Sequence, residues 1–361
     1  MNEISRRKFL EMSLLGAGAF AILPWGNSVK QLATDWPDVD LMGRNCVGGM
    51  INMRLRPTAD SAVVRSVYED EVFVWLQDVI GEAPPGVINR TWIETPEGYL
   101  YAPNIQPVKY QPNEPVDEIP VTEGGSGMWF EITVPYVDIH LENAPCSYWL
   151  KQIEKPRLYY SQVLWVDEIT RIDQGQILYR VNEKYGNCGD TYWASADAFR
   201  PITEQEIEPI SPDAENKRIV VDLNHQVLSC YEGSREVYFC RISSGAKFDY
   251  LGAPVDEWAT PLGAHLPWRK TISLHMGGGS TGAGYDTPGI GWTTLFDPDG
   301  AAIHSTFWHN DFGVPRSHGC VNARPGDAKW IFRWSLPHVP YFPGNVDLSG
   351  PGGTVIDVIE A

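Results

Sequence analysis

The chain is written in short apolar runs rather than long amphipathic stretches. Between residues 43 and 110, Asp70-Glu71-Val72-Phe73-Val74-Trp75-Leu76, Thr91-Trp92-Ile93-Glu94 and Gly98-Tyr99-Leu100-Tyr101 are each bounded by turn residues. β-Branched and aromatic runs recurring every 8–12 residues or so predict a small antiparallel barrel. A second set of runs, at 129–134, 157–160, 176–181 and 190–194, predicts another β module whose later strands echo those of the first. From Lys217 the alternation sharpens. Arg218-Ile219-Val220-Val221-Asp222-Leu223 and Gln226-Val227-Leu228-Ser229-Cys230-Tyr231 flank Asn224-His225, which predicts a hairpin. Residues 236–242 supply a third strand, and Thr354-Val355-Ile356-Asp357-Val358 is expected to return to the same sheet. Helical spacing is expected in Asp327-Ala328-Lys329-Trp330-Ile331-Phe332-Arg333-Trp334. The expected fold class is therefore mainly β: a sandwich-like third region with one helix, behind one or two small barrels.

Composition divides this pattern into parts. A length of 361 residues implies two or three domains, and 43% hydrophobic with 20% charged residues is globular. Pro-rich, acidic stretches at 111–120 and 204–213 read as linkers. The expected organisation is 1–34 as signal and linker, 36–112 and 121–205 as β modules, and 215–361 as the chemical domain. The formal charge is −18, and Arg6, Arg7, Lys8 and Lys30 outnumber Glu3 and Glu11 in the first 34 residues, so the remainder is more acidic still. No basic stripe is left to meet nucleic acid.

Ser5-Arg6-Arg7-Lys8-Phe9-Leu10, followed by an apolar run over 12–23, resembles the twin-arginine export motif. That resemblance implies passage of a folded protein to the periplasm, cell wall or exterior. Both a cleaved signal and an uncleaved membrane tether remain open. Cys46, Cys146, Cys188, Cys230, Cys240 and Cys320 form no C-x-x-C pair and have no zinc-type histidine spacing, so neither metal nor cofactor is expected. Cys230 and Cys240 are spaced to face each other across a hairpin. A free Cys320 leaves an odd number of the others.

The chemistry concentrates in Ser317-His318-Gly319-Cys320-Val321-Asn322, with His304 upstream in Ala301-Ala302-Ile303-His304-Ser305-Thr306. A thiol needs an imidazole or partly positive amides to become a nucleophile, and a Gly-flanked turn before a helix offers both. Gly319 lets the turn aim backbone amides at one point. The Gly-rich stretch Met276-Gly277-Gly278-Gly279-Ser280-Thr281-Gly282 reads as a flexible insertion, and it lacks the Lys-Ser/Thr of a phosphate loop. His309 reads as a solvated or lid residue, and Trp292, Trp308 and Trp330 as core or groove residues.

These blocks resemble the L,D-transpeptidase catalytic domain of the YkuD type. The resemblance extends to the opening hairpin, to Thr260-Pro261-Leu262-Gly263 (the family's T-P-x-G turn) and to Trp268-Arg269-Lys270 after it. It implies that Cys320 attacks a peptidoglycan stem tetrapeptide, releases D-alanine and holds a thioester. His304 would be the base, oriented by the Ser305 carbonyl. The amides of His318, Gly319 and Cys320 would hold the oxyanion, with the His318 side chain a less favoured base. Ser317, Asn322 and Arg324 would meet the substrate. The acceptor would be a side-chain amine of a neighbouring stem. Hydrolysis (an L,D-carboxypeptidase) and attachment of a protein amine use the same site. A wall-binding protein without activity is the alternative from another class. The first region, with its N-x-R-x-x-P, V and G-Y-x-Y order, resembles bacterial SH3-like modules, which implies binding to the glycan or stem.

Overall fold

The computed structural model describes residues 36–172, 175–248, 253–255, 258–278, 285–350 and 352–361. The predicted export segment and residues 279–282 of the Gly-rich stretch lie outside the described residues. Met276, Gly277 and Gly278, expected in a flexible insertion, instead finish a ten-residue strand.

Buried and exposed positions alternate along the strands, and this alternation sorts them into sheets. Residues 42–108 make two antiparallel sheets: Val72–Val74, Met42–Asn45 and Ile105–Val108 in one, and Val63–Tyr68, Met50–Arg54, Tyr99–Tyr101, Thr91–Glu94 and Gln77–Ile80 in the other. Met53, Val67, Phe73, Ile93, Leu100 and Ile105 close their core. Residues 128–201 make a single antiparallel sheet, in the order Arg157–Tyr159, Tyr136–Leu141, Thr191–Ser195, Ile177–Asn182, Val163–Arg171, Met128–Ile132 and Phe199–Pro201. Both regions end alike. A single 3-10 turn, Ala102–Asn104 or Ala196–Ala198, delivers the chain into a last short strand.

The third region contains two five-stranded sheets. One has the order β3-β2-β1-β10-β4, with β1 Lys217–Asp222, β2 Val227–Glu232, β3 Arg235–Arg241, β4 Gly263–His265 and β10 Val355–Ile359. The expected hairpin is β1–β2, and the C-terminal strand does return, lying parallel to β1. The other has the order β8-β7-β6-β5-β9, with β5 Arg269–Gly278, β6 Tyr285–Leu295, β7 Ala302–Ser305, β8 Val321–Ala323 and β9 Asn345–Asp347. Ile219, Val221, Leu228, Ile303, Val321, Ile356 and Val358 fill the space between the sheets.

Helix α1, Pro325–Trp334, divides its buried side chains between two cores. Ile331 and Trp334 enter the core between the sheets, whereas Ala328 and Phe332 pack with Trp129, Val163 and Trp165 of the second region. Each large side chain so buried contributes about 1.5–3 kcal/mol. The carbonyls a helix leaves unpaired at its C-terminal end are met here by lysines. Lys217 Nζ donates to Trp334 O at 2.8 Å, and Lys270 Nζ to Phe332 O and Ser335 O, each at 2.7 Å.

Two sequence expectations need correction. The stretches taken for linkers are docked. Asn113 N donates to Asp197 O and Val116 N to the Tyr179 hydroxyl, while Thr203 and Glu206 form a capping box around the 3-10 helix Glu204–Ile207. Glu206 also accepts from Lys329 on α1 at 2.9 Å. Nor do Cys230 and Cys240 face one another: Cys230 is opposite Tyr238 and Cys240 opposite Leu228, and both thiols are free and buried. The disulfide observed is Cys146–Cys188.

Candidate active site

Pairing between β7 and β8 brings the motif residues together. The strands run parallel with Ile303 opposite Val321 and His304 opposite Asn322. Side chains alternate across a strand, so Ile303 and Val321 enter the core while His304, Asn322 and Cys320 share the other face. Cys320 and His304 are thus diagonal neighbours on adjacent strands. The turn that sets Cys320 in place closes on itself. Ser317 Oγ donates to Cys320 O at 2.5 Å and accepts from Gly319 N at 3.2 Å. Gly319 sits at φ 109°, a conformation that suits glycine. The Ser317 hydroxyl, expected at the substrate, is therefore engaged within the turn. The Gly319 amide, expected at the oxyanion, is engaged with it.

A second strap holds this turn from behind. Ser243 exchanges both backbone bonds with Asn322, Ser317 N donates to Ser244 O, and Ala246 N donates to Ser317 O. Gln226 fixes the strap through its amide, which binds Ser244 N at 2.8 Å and Ser244 Oγ at 2.7 Å. Thr260, the first residue of the T-P-x-G turn, accepts Gly245 N at 2.9 Å. The opening hairpin and the T-P-x-G turn thus converge on the Ser317–Asn322 turn.

His304 is 2% exposed, and its Nδ1 lies 2.8 Å from Ser305 O. A carbonyl only accepts, so Nδ1 carries the proton and Nε2 is the free basic nitrogen. Burial lowers the His304 pKa to about 4, partly opposed by the Ser305 carbonyl. The partly exposed Cys320 rests against the cluster of Leu274, Met276, Ile290, Leu295 and Ala302. Burial pushes its thiol up to about 11, against a smaller lowering by a hydrogen bond from the Ala302 backbone. The resting pair is uncharged, with the proton on sulfur. Trp308 flanks the imidazole, ring centroids 5.8 Å apart.

The remaining predicted residues fall around this pair in different ways. The His318 ring is exposed and lies against Trp258 at 4.2 Å and Tyr285 at 5.6 Å. Arg324 follows β8, exposed, with its guanidinium 4.6 Å above the Phe312 ring. Trp292 is buried against Phe332, and Trp330 stacks on Tyr238 at 4.0 Å. Asn322 is 1% exposed and meets His309 Nε2 at 2.9 Å. His309 is thus no solvated residue; it is 4% exposed. Its Nδ1 accepts from Asp311 N at 3.1 Å, so the proton is on Nε2, and the Asn322 amide oxygen is the group that should face it. Tyr285, unnoticed in the sequence, stands near enough to Cys320 for the thiol to help raise its pKa, after burial. The only clue in the sequence was an aromatic residue placed just after the Gly-rich stretch.

The loop 306–316 between His304 and Cys320 is gripped by both preceding regions. Asn89 Nδ2 donates to Asp311 Oδ1 at 2.8 Å and Asn310 N to Pro103 O at 3.0 Å. Phe307 stacks on Tyr159, and Arg44 Nη2 donates to Phe307 O at 3.5 Å. Arg44 is itself buried between Asp70 and Gln106, with Arg157 on the second Asp70 oxygen.

Residues 216–356 match the family model of YkuD, the L,D-transpeptidase catalytic domain. Among solved structures, an Enterococcus faecium L,D-transpeptidase C442S mutant is 24% identical over 41% of this chain and 51% of its own, TM-score 0.30. The catalytic domain from E. faecium L,D-transpeptidase is 24% identical over 40% of this chain and 98% of its own, TM-score 0.30. An L,D-transpeptidase from Mycobacterium smegmatis is 15% identical over 54% and 99%, TM-score 0.32. The chain spans about half the length of the first of these structures. No curated protein sequence matches it.

Proposed function

We propose that the chain is an L,D-transpeptidase acting on peptidoglycan stem peptides through a Cys320 thioester. The observation that carries this reading is the parallel β7–β8 pairing, which sets Cys320 beside an imidazole whose Nε2 is freed by the Ser305 carbonyl. In the first half-reaction, Sγ attacks the carbonyl of the stem's L,D-peptide bond while His304 Nε2 takes the thiol proton. The C–N bond breaks, the proton passes to the leaving amine, and D-alanine departs. In the second, the acceptor amine attacks the thioester, His304 takes its proton, and the thiol is restored. With the Gly319 amide bound to Ser317, the amides of His318 and Cys320 are the oxyanion donors. Asn322 acts from beneath the strand through His309, and Arg324 faces the substrate side.

The N-terminal regions are read as SH3-like modules that engage the wall, the second a diverged copy of the first; their shared 3-10 turn and last strand support this. Twin-arginine export is supported by the Cys146–Cys188 disulfide, which suits an oxidising compartment.

The test is acylation of the purified protein by a carbapenem or a stem tetrapeptide, read by intact mass. We expect one adduct, mapped to Cys320 and absent from Cys320→Ala. An adduct of equal yield in that variant would remove Cys320 as nucleophile. Adding an amine acceptor and following cross-linked against hydrolysed product separates transpeptidation from carboxypeptidation.

A further inference from the structure

Two cavities, of about 330 and 390 Å³, open side by side along the seam where the third region meets the first and, at the smaller cavity, also the second, and they share Asn310, Phe312 and Arg324. Their charge runs against that of the molecule. In a chain of net charge −18, Arg90, Arg241 and Arg324 line the larger cavity and Lys109 the smaller. Among the described residues none of these four has a carboxylate within ion-pair distance, although the nearby Arg316 is paired with Asp311. Of the carboxylates on the lining, Glu131 is already bound to Arg200 at 2.7 Å, which leaves Asp78. Arg324 is also the N-cap of α1, without a side-chain cap, so the helix adds the partial positive charge of its first amides to the same place.

We propose that this seam binds a peptide bearing two or more free carboxylates. Guanidinium groups hold carboxylates in paired hydrogen bonds, and several of them facing one cleft select a ligand with several such groups. The apolar lining, which includes Ile88 and Phe312, suits a peptide with small apolar side chains better than a bare phosphate polymer. Arg324 lies four residues beyond Cys320 along extended backbone, a path of roughly 13 Å, within the span of a short extended peptide. The choice of a stem peptide as that ligand rests on the acyl-transfer reading above. The seam then holds a stem while the loop beside it carries His309 and the strand beneath it carries the nucleophile.

The experiment uses full-length Cys320→Ala protein, so that binding is read without turnover. Three probes are titrated by calorimetry: a stem tetrapeptide with free carboxylates, the same peptide with its carboxylates amidated, and a glycerol phosphate oligomer. We expect the acidic peptide to bind saturably and more weakly as salt rises. In the R90Q/R241Q background its affinity should fall by about tenfold or more, whereas K155Q, an exposed lysine elsewhere, should leave it unchanged. Equal binding of the amidated peptide, or unchanged affinity in R90Q/R241Q, overturns the proposal. Preference for the phosphate oligomer overturns the choice of a peptide. Carbapenem labelling of wild-type Cys320 is scored separately. Arginine-dependent binding without labelling would leave the seam standing and the transferase reading fallen, and labelling without such binding would do the reverse.

Discussion

Two buried histidines of the same five-stranded sheet reach opposite charge states. His304 on β7 has its pKa lowered to about 4, whereas His275 on β5 has its pKa raised to about 9. Burial pushes both down. The difference is in the partners. His304 has a backbone carbonyl on one nitrogen and, among the described residues, nothing ionised on the other, whereas His275 lies between Glu183, 3.1 Å from its Nδ1, and Asp286 at its Nε2. Two carboxylates outweigh the desolvation and hold an imidazolium. A base that must receive a proton and give it back gains from a neutral, oriented ring. A clamp between regions gains from a fixed charge, and Glu183 comes from the second region while Asp286 lies on β6 and also receives Trp149 N.

Removing the free base should have the largest effect. His304→Ala should leave the thermal transition in place while slowing acylation of Cys320 by about 10²–10⁴. Near wild-type rates in stopped-flow acylation would move the base elsewhere, first to His318. Breaking the clamp should strike stability instead. Glu183→Ala removes one of the two carboxylates on a buried imidazolium, leaving Asp286, and should cost about 1.5–3 kcal/mol in denaturant unfolding; a change below about 0.5 kcal/mol would show that the clamp carries nothing.

The clamp also has a pH signature. The folded pKa of His275, about 9, stands above the ordinary value near 6.5. Its contribution is therefore complete below about pH 6.5 and is lost as pH rises through about 9, a change on the order of 3 kcal/mol. Unfolding free energies from pH 6 to 10 should show that decline, and it should shrink in Glu183→Ala, where Asp286 alone remains on the ring. The smallest effect concerns the thiol. Iodoacetamide labelling of the Cys320 peptide should keep rising with pH toward about 11, as expected of a desolvated thiol with no charged partner among the described residues. A plateau reached below pH 7 would instead reveal a resting thiolate–imidazolium pair.

Much of the third region was legible because its strands obey simple alternation. Ile219 and Val221 are buried in β1 with Val220 facing outward, and the Thr354–Val358 run carries the same signal at the other end of the chain. The Ser317–Asn322 turn was legible because its residues are contiguous and Gly319 is where a positive φ is needed. His309 was misread because it lies in a loop whose path is fixed from elsewhere in the chain. Asn89, 222 residues from Asp311, holds that loop through the Asp311 carboxylate. The docked linkers misled for the opposite reason: proline and acidic residues describe an unbound segment, and only the opposing groups, Tyr179 and Lys329, reveal that it is bound. His275 gave no sign, since neither Glu183 nor Asp286 stands at a spacing that marks a pair.

The parallel partnership of β10 with β1 sets an order of events during synthesis. β10 lies between β1 and β4, so that sheet has a gap beside β1, and β4 lacks its partner, until residue 359 has been made. The layer against which Ile303 and Val321 pack is completed last. The thiol therefore gains its lasting setting only once β10 has been made, and a ribosome stalled after α1 would carry the whole Ser317–Asn322 turn on an unfinished support.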